Sequence, residues 1–367
     1  MQALILAGGE GTRLRPLTLT IPKPVMPLVD RPFISYMLEW LRRHGIDDVI
    51  LSCGFMAEGV REVLGDGSAL GVSLRYLEEP EPLGTGGALK FAEDLLDERF
   101  FMLNGDVLTD IDLSAQLEQH ERTGAAATLA LIAVDDPSAY GLVRLADDRS
   151  VKEFVEKPGP ELHDTNLINA GAYVIERRVL EGMAPAGTNI SIEREVFPTL
   201  VGRGLYAFPA SGYWLDIGTP ERYLQATFDI LEGNVATEVG RRLADASLAL
   251  VDGARIDGRV VAPALVGADA VVEESAIVGG RTVLGRGARV GEGAHIESSV
   301  LLAGASVGPR STVRASIIGP DVVVGRHCQI GDGVVLGAGA RVGPENVLSA
   351  GLRIFPGVEL PERAISF

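Results

Sequence analysis

From residue 266 onward the chain repeats itself every six residues. Val266, Val272, Val278, Leu284, Val290, Ile296 and Leu302 keep this period. A five-residue step leads to Val307 and Val313, a second short step to Ile318, and the period resumes at Val324, Ile330, Leu336 and Val342. Glycine often follows the aliphatic residue, as at Gly267, Gly285, Gly325 and Gly343. One inward aliphatic per six residues is the pattern of a hexapeptide parallel β-helix. Such a solenoid admits few alternatives, because each short strand can bury its apolar side chain only by stacking on its neighbours.

The repeat resembles the left-handed kind of β-helix, in which three hexapeptides make one coil. Its fourteen markers then make roughly four to five coils. The first 232 residues follow a different rule. Leu4, Ile5 and Leu6 form an apolar run that reads as a buried strand, opening into Gly8, Gly9, Gly11, Thr12 and Arg13. Glycines let a backbone pass close to a bulky anion and turn its N–H groups toward it. Arg13, Arg15 and Lys23 bring cations to the same mouth, and prolines at 16, 22, 24 and 27 fix φ on the return path. The spacing matches neither the GxxxxGK[ST] phosphate loop nor the dinucleotide GxGxxG pattern.

Beyond this loop the pattern alternates. Helical spacing over 33–44, an apolar strand at 49–51 and a helix over 60–64 come first. Alternating Val72, Leu74 and Tyr76, a helix over 88–96 and an apolar strand at 100–103 follow. This order predicts an α/β domain with a Rossmann-like, mostly parallel sheet flanked by helices. Ligands of such sheets bind at the carboxyl ends of strands, where both the loop after Leu6 and Asp106 fall. A strand over 126–134, a turn at Gly141, a helix over 191–200 capped by Ser191 and a closing helix over 221–231 complete the domain. The expected organisation is a first domain over 1–232, a plain linker over 233–253 and the β-helix over 254–367.

Several side chains stand where chemistry could use them. Glu79 precedes the glycine-rich turn Gly84-Thr85-Gly86-Gly87; taken alone, the turn is an ordinary helix entry and Glu79 an ordinary solvated glutamate. A carboxylate can accept two hydrogen bonds side by side. Asp106 follows a fully apolar strand, where an unpaired carboxylate is costly, and Asp216 stands in Trp214-Leu215-Asp216-Ile217-Gly218. Glu156-Lys157 is an acid–base pair at a strand end, of a sort usually worth little on a surface. Asn169-Ala170-Gly171 is a further turn.

The motifs TRLRPLT, PKP, EPLGTGGA, NGD, EKP, NAGAY, SIEREVFP and WLDIGTP together resemble those of the sugar-1-phosphate nucleotidyltransferases. Over roughly residues 1 to 360 the chain is most similar to the guanylyltransferase branch that acts on mannose 1-phosphate and carries a C-terminal β-helix. The resemblance implies Mg²⁺-dependent reaction of a nucleoside triphosphate with a sugar 1-phosphate, giving a nucleotide sugar and pyrophosphate, with GTP and mannose 1-phosphate as the pair. It implies a nucleotide site of Leu6, Ala7, Gly8, Gly9, Gly11, Thr12, Arg13, Glu79, Gly84 and Thr85. Gly141, Glu156, Lys157, Asn169 and Gly171 would take the sugar phosphate. Arg13 and Lys23 would neutralise reacting phosphates, and Asp106 and Asp216 would hold Mg²⁺. Thymidylyl- and uridylyltransferases of glucose 1-phosphate share nearly all these motifs and stay as the alternative.

Composition narrows the remaining classes. A net charge of -17 argues against nucleic acid as a partner. Cys53 and Cys328 lie far apart and suggest neither a disulfide framework nor a zinc site. The N-terminal apolar run is too short for a secretory leader and no stretch approaches a membrane span, so a cytoplasmic protein without membrane attachment is expected. Hexapeptide acyltransferases use a histidine base, but His295 and His327 fall at ordinary outward repeat positions. A catalytically silent regulatory subunit would have lost part of the set Gly11, Arg13, Lys23, Asp106, Lys157 and Asp216, which is intact. Exposed apolar coil edges predict a homo-oligomer packed through the β-helix.

Overall fold

The computed structural model describes residues 1–138, 140–155, 165–246, 249–250, 253–349 and 351–366. The chain packs as two units, Met1–Glu10 with Ile34–Trp214, and Gly11–Phe33 with Leu215–Phe367. In the first, one mixed sheet runs in the order Val151–Val155, Leu142–Leu145, Leu167–Glu176, Arg99–Asn104, Gln2–Ala7, Asp48–Cys53, Ser73–Glu78. Ala127–Ala133 pairs with Leu167–Glu176 and carries Leu205–Pro209. Gln2–Ala7 lies parallel to both its neighbours, and Asp48–Cys53 parallel to Ser73–Glu78. Leu4, Ile5, Ile50, Leu51 and Phe100 are fully buried, which is why these strands read as continuous apolar runs rather than alternating ones. Leu167–Glu176 runs antiparallel to Arg99–Asn104 and makes the sheet mixed.

Two helices depart from the spacing-based expectation. The one expected over 88–96 is Gly84–Phe91, followed by a 3₁₀ turn at Glu93–Leu95, so the glycine-rich turn is its first turn. The glycines are required by packing: the Gly86 and Gly87 N–H groups donate to Ile190 O at 2.8 and 3.2 Å. A Cβ on Gly87 would stand 2.3 Å from Thr188 O. The helix expected over 191–200 is a π-helical turn, Ile192–Val196, leading into Phe197–Leu200. Ser191 caps it as expected, its Oγ accepting from the Arg194 N–H at 3.3 Å.

The second unit holds the solenoid. Its strands form three parallel sheets of seven, seven and six strands. Among the described residues this is six complete coils and the start of a seventh, more than the four to five expected. Arg255–Ile256 and Arg259–Val260 precede the recognised repeat, and Val347–Leu348, Arg353–Ile354 and Glu359–Leu360 extend it. The interior is a column of small aliphatics including Val266, Val272, Leu284, Val290, Val313 and Leu336. Each contributes about 1.5–3 kcal/mol by leaving water. The marker expected at Leu302 is instead Leu301, which stacks between Leu284 and Ile318. Two adjacent leucines satisfy the period almost equally, and only the pairing register decides between them. Within the expected plain linker, Glu238–Ala246 forms a helix whose Val239 and Leu243 are buried.

His120 gives the first unit a pH dependence. It is buried, with Nδ1 2.9 Å from Thr128 Oγ1 and Nε2 3.0 Å from Glu176 Oε1. Burial lowers its pKa, Glu176 opposing. The unfolded chain therefore binds a proton at about pH 6.5, before the folded one does, and stability is lost as pH falls through that range. The denaturant midpoint is expected to drop between about pH 7.5 and 5.5, with His44 adding in the same direction. His120→Gln should flatten this slope; equal slopes in the two proteins would contradict the assignment.

Candidate active site

In the first unit the carboxyl ends of the parallel strands converge on a few glycines. Gly105 N donates to Leu6 O at 2.8 Å, and a Cβ there would stand 2.5 Å from that oxygen. Asp106 follows, half-buried. Ala7 leads into Gly8, whose carbonyl lies 2.9 Å from where a Gly54 Cβ would sit. A Cβ on Gly8 would come within 3.2 Å of Glu79 Oε1, whereas one on Gly9 would meet no atom within 4 Å. Glu79 is a half-buried, oriented carboxylate rather than a solvated one. Ser52 Oγ donates to its Oε1 at 2.8 Å and the Leu83 N–H to its Oε2 at 3.3 Å. Beneath it, burial first and then Glu79 push the Cys53 thiol up to about 12, so this cysteine is inert.

Gly84 and Thr85 serve packing as well. Gly84 has φ +71°, and a Cβ would stand 2.6 Å from Ile190 O. Thr85 Oγ1 donates to Glu193 Oε2 at 2.7 Å and accepts from the Ile192 N–H at 2.9 Å. Glu193 Oε1 accepts in turn from Tyr173 OH at 3.4 Å, and Asn169 Nδ2 donates to that same hydroxyl oxygen at 2.7 Å. One hydrogen-bonded chain thus runs from the Gly84-Thr85 turn to the Asn169 turn. Asn169 Oδ1 accepts from Gly171 N at 3.1 Å, and Gly171, at φ +74°, leaves Asn104 the space a Cβ would take. Asn104 Oδ1 is buried without a hydrogen-bond partner among the described residues. The Gly141 carbonyl accepts from Asn169 N at 3.2 Å. Glu156 and Lys157 lie outside the described residues. Ser52, Asn104, Tyr173 and Glu193 escaped the sequence reading; for Glu193 and Tyr173 the one available signal was their place inside the SIEREVFP and NAGAY motifs.

The second unit gathers the cations. Gly11 adopts φ +62° and opens the 3₁₀ turn Thr12–Leu14. Thr18 Oγ1 donates to Gly11 O at 2.8 Å. A Gly11 Cβ would sit 3.3 Å from Lys23 Cβ, so the lysine stem lies against the loop. Thr12 and Arg13 are exposed. Arg13 Nη2 is 3.8 Å from Asp216 Oδ2 and Arg222 Nη1 is 3.1 Å from the same oxygen, with side chains 62%, 16% and 33% exposed for Arg13, Asp216 and Arg222. Arg222 was not singled out from sequence, since a helix-borne arginine carries no motif signal. Among the described residues no three or more His, Cys, Asp or Glu side chains form a metal-binding group, and no helix is long and apolar enough to cross a membrane.

The chain is similar to known proteins over most of its length. Residues 2–233 match the nucleotidyl transferase model and residues 260–365 the GMPPB C-terminal domain model. The chain belongs to the nucleotidyl transferase family. It is 37% identical over 332 residues, 89% of this chain and 88% of the other, to the mannose-1-phosphate guanylyltransferase catalytic subunit beta of Danio rerio. It is 41% identical over 237 residues to the mannose-1-phosphate guanylyltransferase of Mycobacterium tuberculosis, a stretch covering 64% of this chain and 65% of that one. Among solved structures, HddC from Yersinia pseudotuberculosis complexed with GMP-PN matches with a TM-score of 0.53 and 30% identity, covering 61% of this chain and 97% of that one. Members of this family generally use a divalent metal.

Gly218 offers a test of how this nucleotidyltransferase orients Arg13. A Cβ there would stand 2.5 Å from Arg13 Nη2 and 3.0 Å from Asp216 Oδ1. The guanidinium tip is flexible and can move aside, so Gly218→Ala should change stability by no more than about 0.5 kcal/mol. Turnover should fall about tenfold or more, because the cation is displaced. Wild-type kinetics in Gly218→Ala would show that the position of Arg13 is immaterial.

Proposed function

We propose that the chain transfers a guanylyl group from GTP to mannose 1-phosphate, releasing pyrophosphate. The observation that carries the choice of base is Glu79, held by Ser52 and the Leu83 N–H beside Gly8. With two accepting oxygens and lone pairs to spare, it suits the paired N1–H and N2–H donors of guanine, where thymine or uracil offers one such donor. Relatives named as mannose-1-phosphate guanylyltransferases support the choice of sugar.

Catalysis then rests on positioning and charge neutralisation, with no covalent enzyme intermediate. A phosphate oxygen of the sugar phosphate attacks the α-phosphorus in line, the bond to the β-phosphate oxygen breaks, and pyrophosphate leaves. Leu6, Ala7, Gly8 and Gly9 bring backbone toward the nucleotide, and the open space at Gly9 leaves room for such an approach. Gly11 and Thr12 present the phosphate loop, and Gly84 and Thr85 flank the base. Arg13 neutralises the α- and β-phosphates, and Lys23 the α-phosphate as charge builds. The Arg13–Asp216 pair is largely exposed on its arginine side and worth at most about 1 kcal/mol, so Arg13 can leave it for phosphate while Arg222 still compensates Asp216. Gly141, Glu156, Asn169 and Gly171 orient the sugar and Lys157 holds its phosphate.

Asp106 and Asp216 are the carboxylates we assign to Mg²⁺. Both offer hard oxygens from half-buried positions, and a site with few protein ligands suits an ion that takes the rest of its shell from phosphates and water. When bound, the ion neutralises and aligns the reacting phosphates. Exposed Phe355 and Val358 on the last coil fit a homo-oligomer formed through the β-helix. A cytoplasmic location fits the substrate pair. The domain organisation we propose is the catalytic domain 1–232, a connecting segment 233–253 and the solenoid 254–367.

Arg13→Ala and Asp216→Asn should each lower turnover by about 10²–10³-fold or more with unchanged circular dichroism. Near wild-type activity in either would remove that residue from the site. Glu79→Gln should cut kcat/KM for GTP by about tenfold or more while sparing dTTP and UTP; an equal loss with all three would remove Glu79 from base recognition.

A further inference from the structure

We propose that Arg353, on the last coil of the β-helix, is a positioning residue for the phosphate loop. It lies on the strand Arg353–Ile354, where Ile354 packs into the solenoid interior and Arg353 faces outward. Its Nη1 donates to Arg13 O at 3.2 Å and to Arg15 O at 3.0 Å. One of these carbonyls lies within the loop's 3₁₀ turn, Thr12–Leu14, and the other belongs to Arg15, the residue that closes the turn. A single guanidinium nitrogen therefore holds the backbone of the segment that carries Arg13.

The arginine is itself steadied at both ends. Its backbone pairs in parallel register with Val335 of the preceding coil. The Glu221 carboxylate, kept low in pKa chiefly by the Thr219 hydroxyl, also interacts with the Arg353 charge. Hydrogen bonds from a charged donor are the stronger kind, and two on one turn remove freedom that a free loop would keep.

The consequence follows from where that freedom is lost. A tethered loop is ordered before the triphosphate arrives; an untethered one must be ordered by it. The loop would contact the triphosphate in both ground and transition states, so losing the tether weakens nucleotide binding more than it slows chemistry. The sugar phosphate is contacted by other residues and should not feel the change. On this inference the solenoid shapes the active site directly, as well as packing subunits. The inference rests on the reading of residues 8–13 as the triphosphate loop.

The test compares full-length wild type, Arg353→Ala and Arg353→Lys. Calorimetric binding of GTP with Mg²⁺, without sugar phosphate, is measured beside steady-state kinetics and thermal unfolding. For Arg353→Ala we expect Kd and KM for GTP to rise about five- to tenfold, with kcat and the KM for mannose 1-phosphate within about twofold. The melting temperature should not move, and Arg353→Lys should recover most of the affinity. Wild-type GTP affinity in Arg353→Ala would overturn the proposal, as would a loss matched by a lowered melting temperature and not rescued by lysine. If wild type itself neither binds GTP nor releases pyrophosphate, the functional reading has failed, and the tether is then read by trypsin. Cleavage after Arg13 should be several-fold faster in Arg353→Ala; equal cleavage rates would overturn the tether as well.

Discussion

A half-buried carboxylate shared by two guanidinium groups organises the cationic side of this protein. Asp216 Oδ2 lies 3.1 Å from Arg222 and 3.8 Å from Arg13. One partner is anchored on a helix, Pro220–Glu232, entered through the Thr219 cap; the other sits on a loop and is mostly exposed. A buried charge must keep compensation at all times, and a fixed and a movable arginine together meet that demand. On the function proposed above, the movable one is the group that meets an incoming phosphate. Gly218 belongs to the same arrangement, since any side chain there would occupy the space of the Arg13 tip.

The loop that carries Arg13 is constrained from several directions. Gly11 takes a left-handed conformation that other residues adopt at a cost. Thr18 holds its carbonyl, and Lys23 packs against it. The Tyr223 hydroxyl, buried and with its pKa raised by burial, donates to Pro27 O on the return path. Arg353 adds a hold from a residue more than three hundred positions later in the chain. Short-range chemistry sets the turn, and long-range contacts keep it in place.

The split between what the sequence reveals and what it hides follows this division. The solenoid was legible because one inward aliphatic per six residues leaves few other ways to bury apolar surface. Its register slipped by one at Leu301 and Leu302, since two neighbouring leucines fit the period equally. The α/β sheet was legible from apolar runs, whereas Glu79 taken alone read as a solvated glutamate and stood out only through the family resemblance. Spacing could not show that Gly86 and Gly87 are packed against the 188–190 backbone. It also could not show that Glu193 and Tyr173 tie Thr85 to Asn169, because the link from Thr85 to Glu193 spans 108 positions. Arg222 and Arg353 carry no local pattern at all. Partners that meet only in the folded chain leave no mark on its periodicity.

The central claim is that this chain joins a guanylyl group to a sugar phosphate, and pyrophosphate release across substrate pairs tests it most directly. GTP, dTTP, UTP, ATP and CTP would each be combined with the 1-phosphates of mannose, glucose and N-acetylglucosamine in the presence of Mg²⁺. GTP with mannose 1-phosphate should release pyrophosphate far faster than any other pair. Release led by dTTP or UTP with glucose 1-phosphate would contradict the assignment of base and sugar while leaving the phosphate chemistry in place. No release with any pair would contradict the account of this chain as a catalyst.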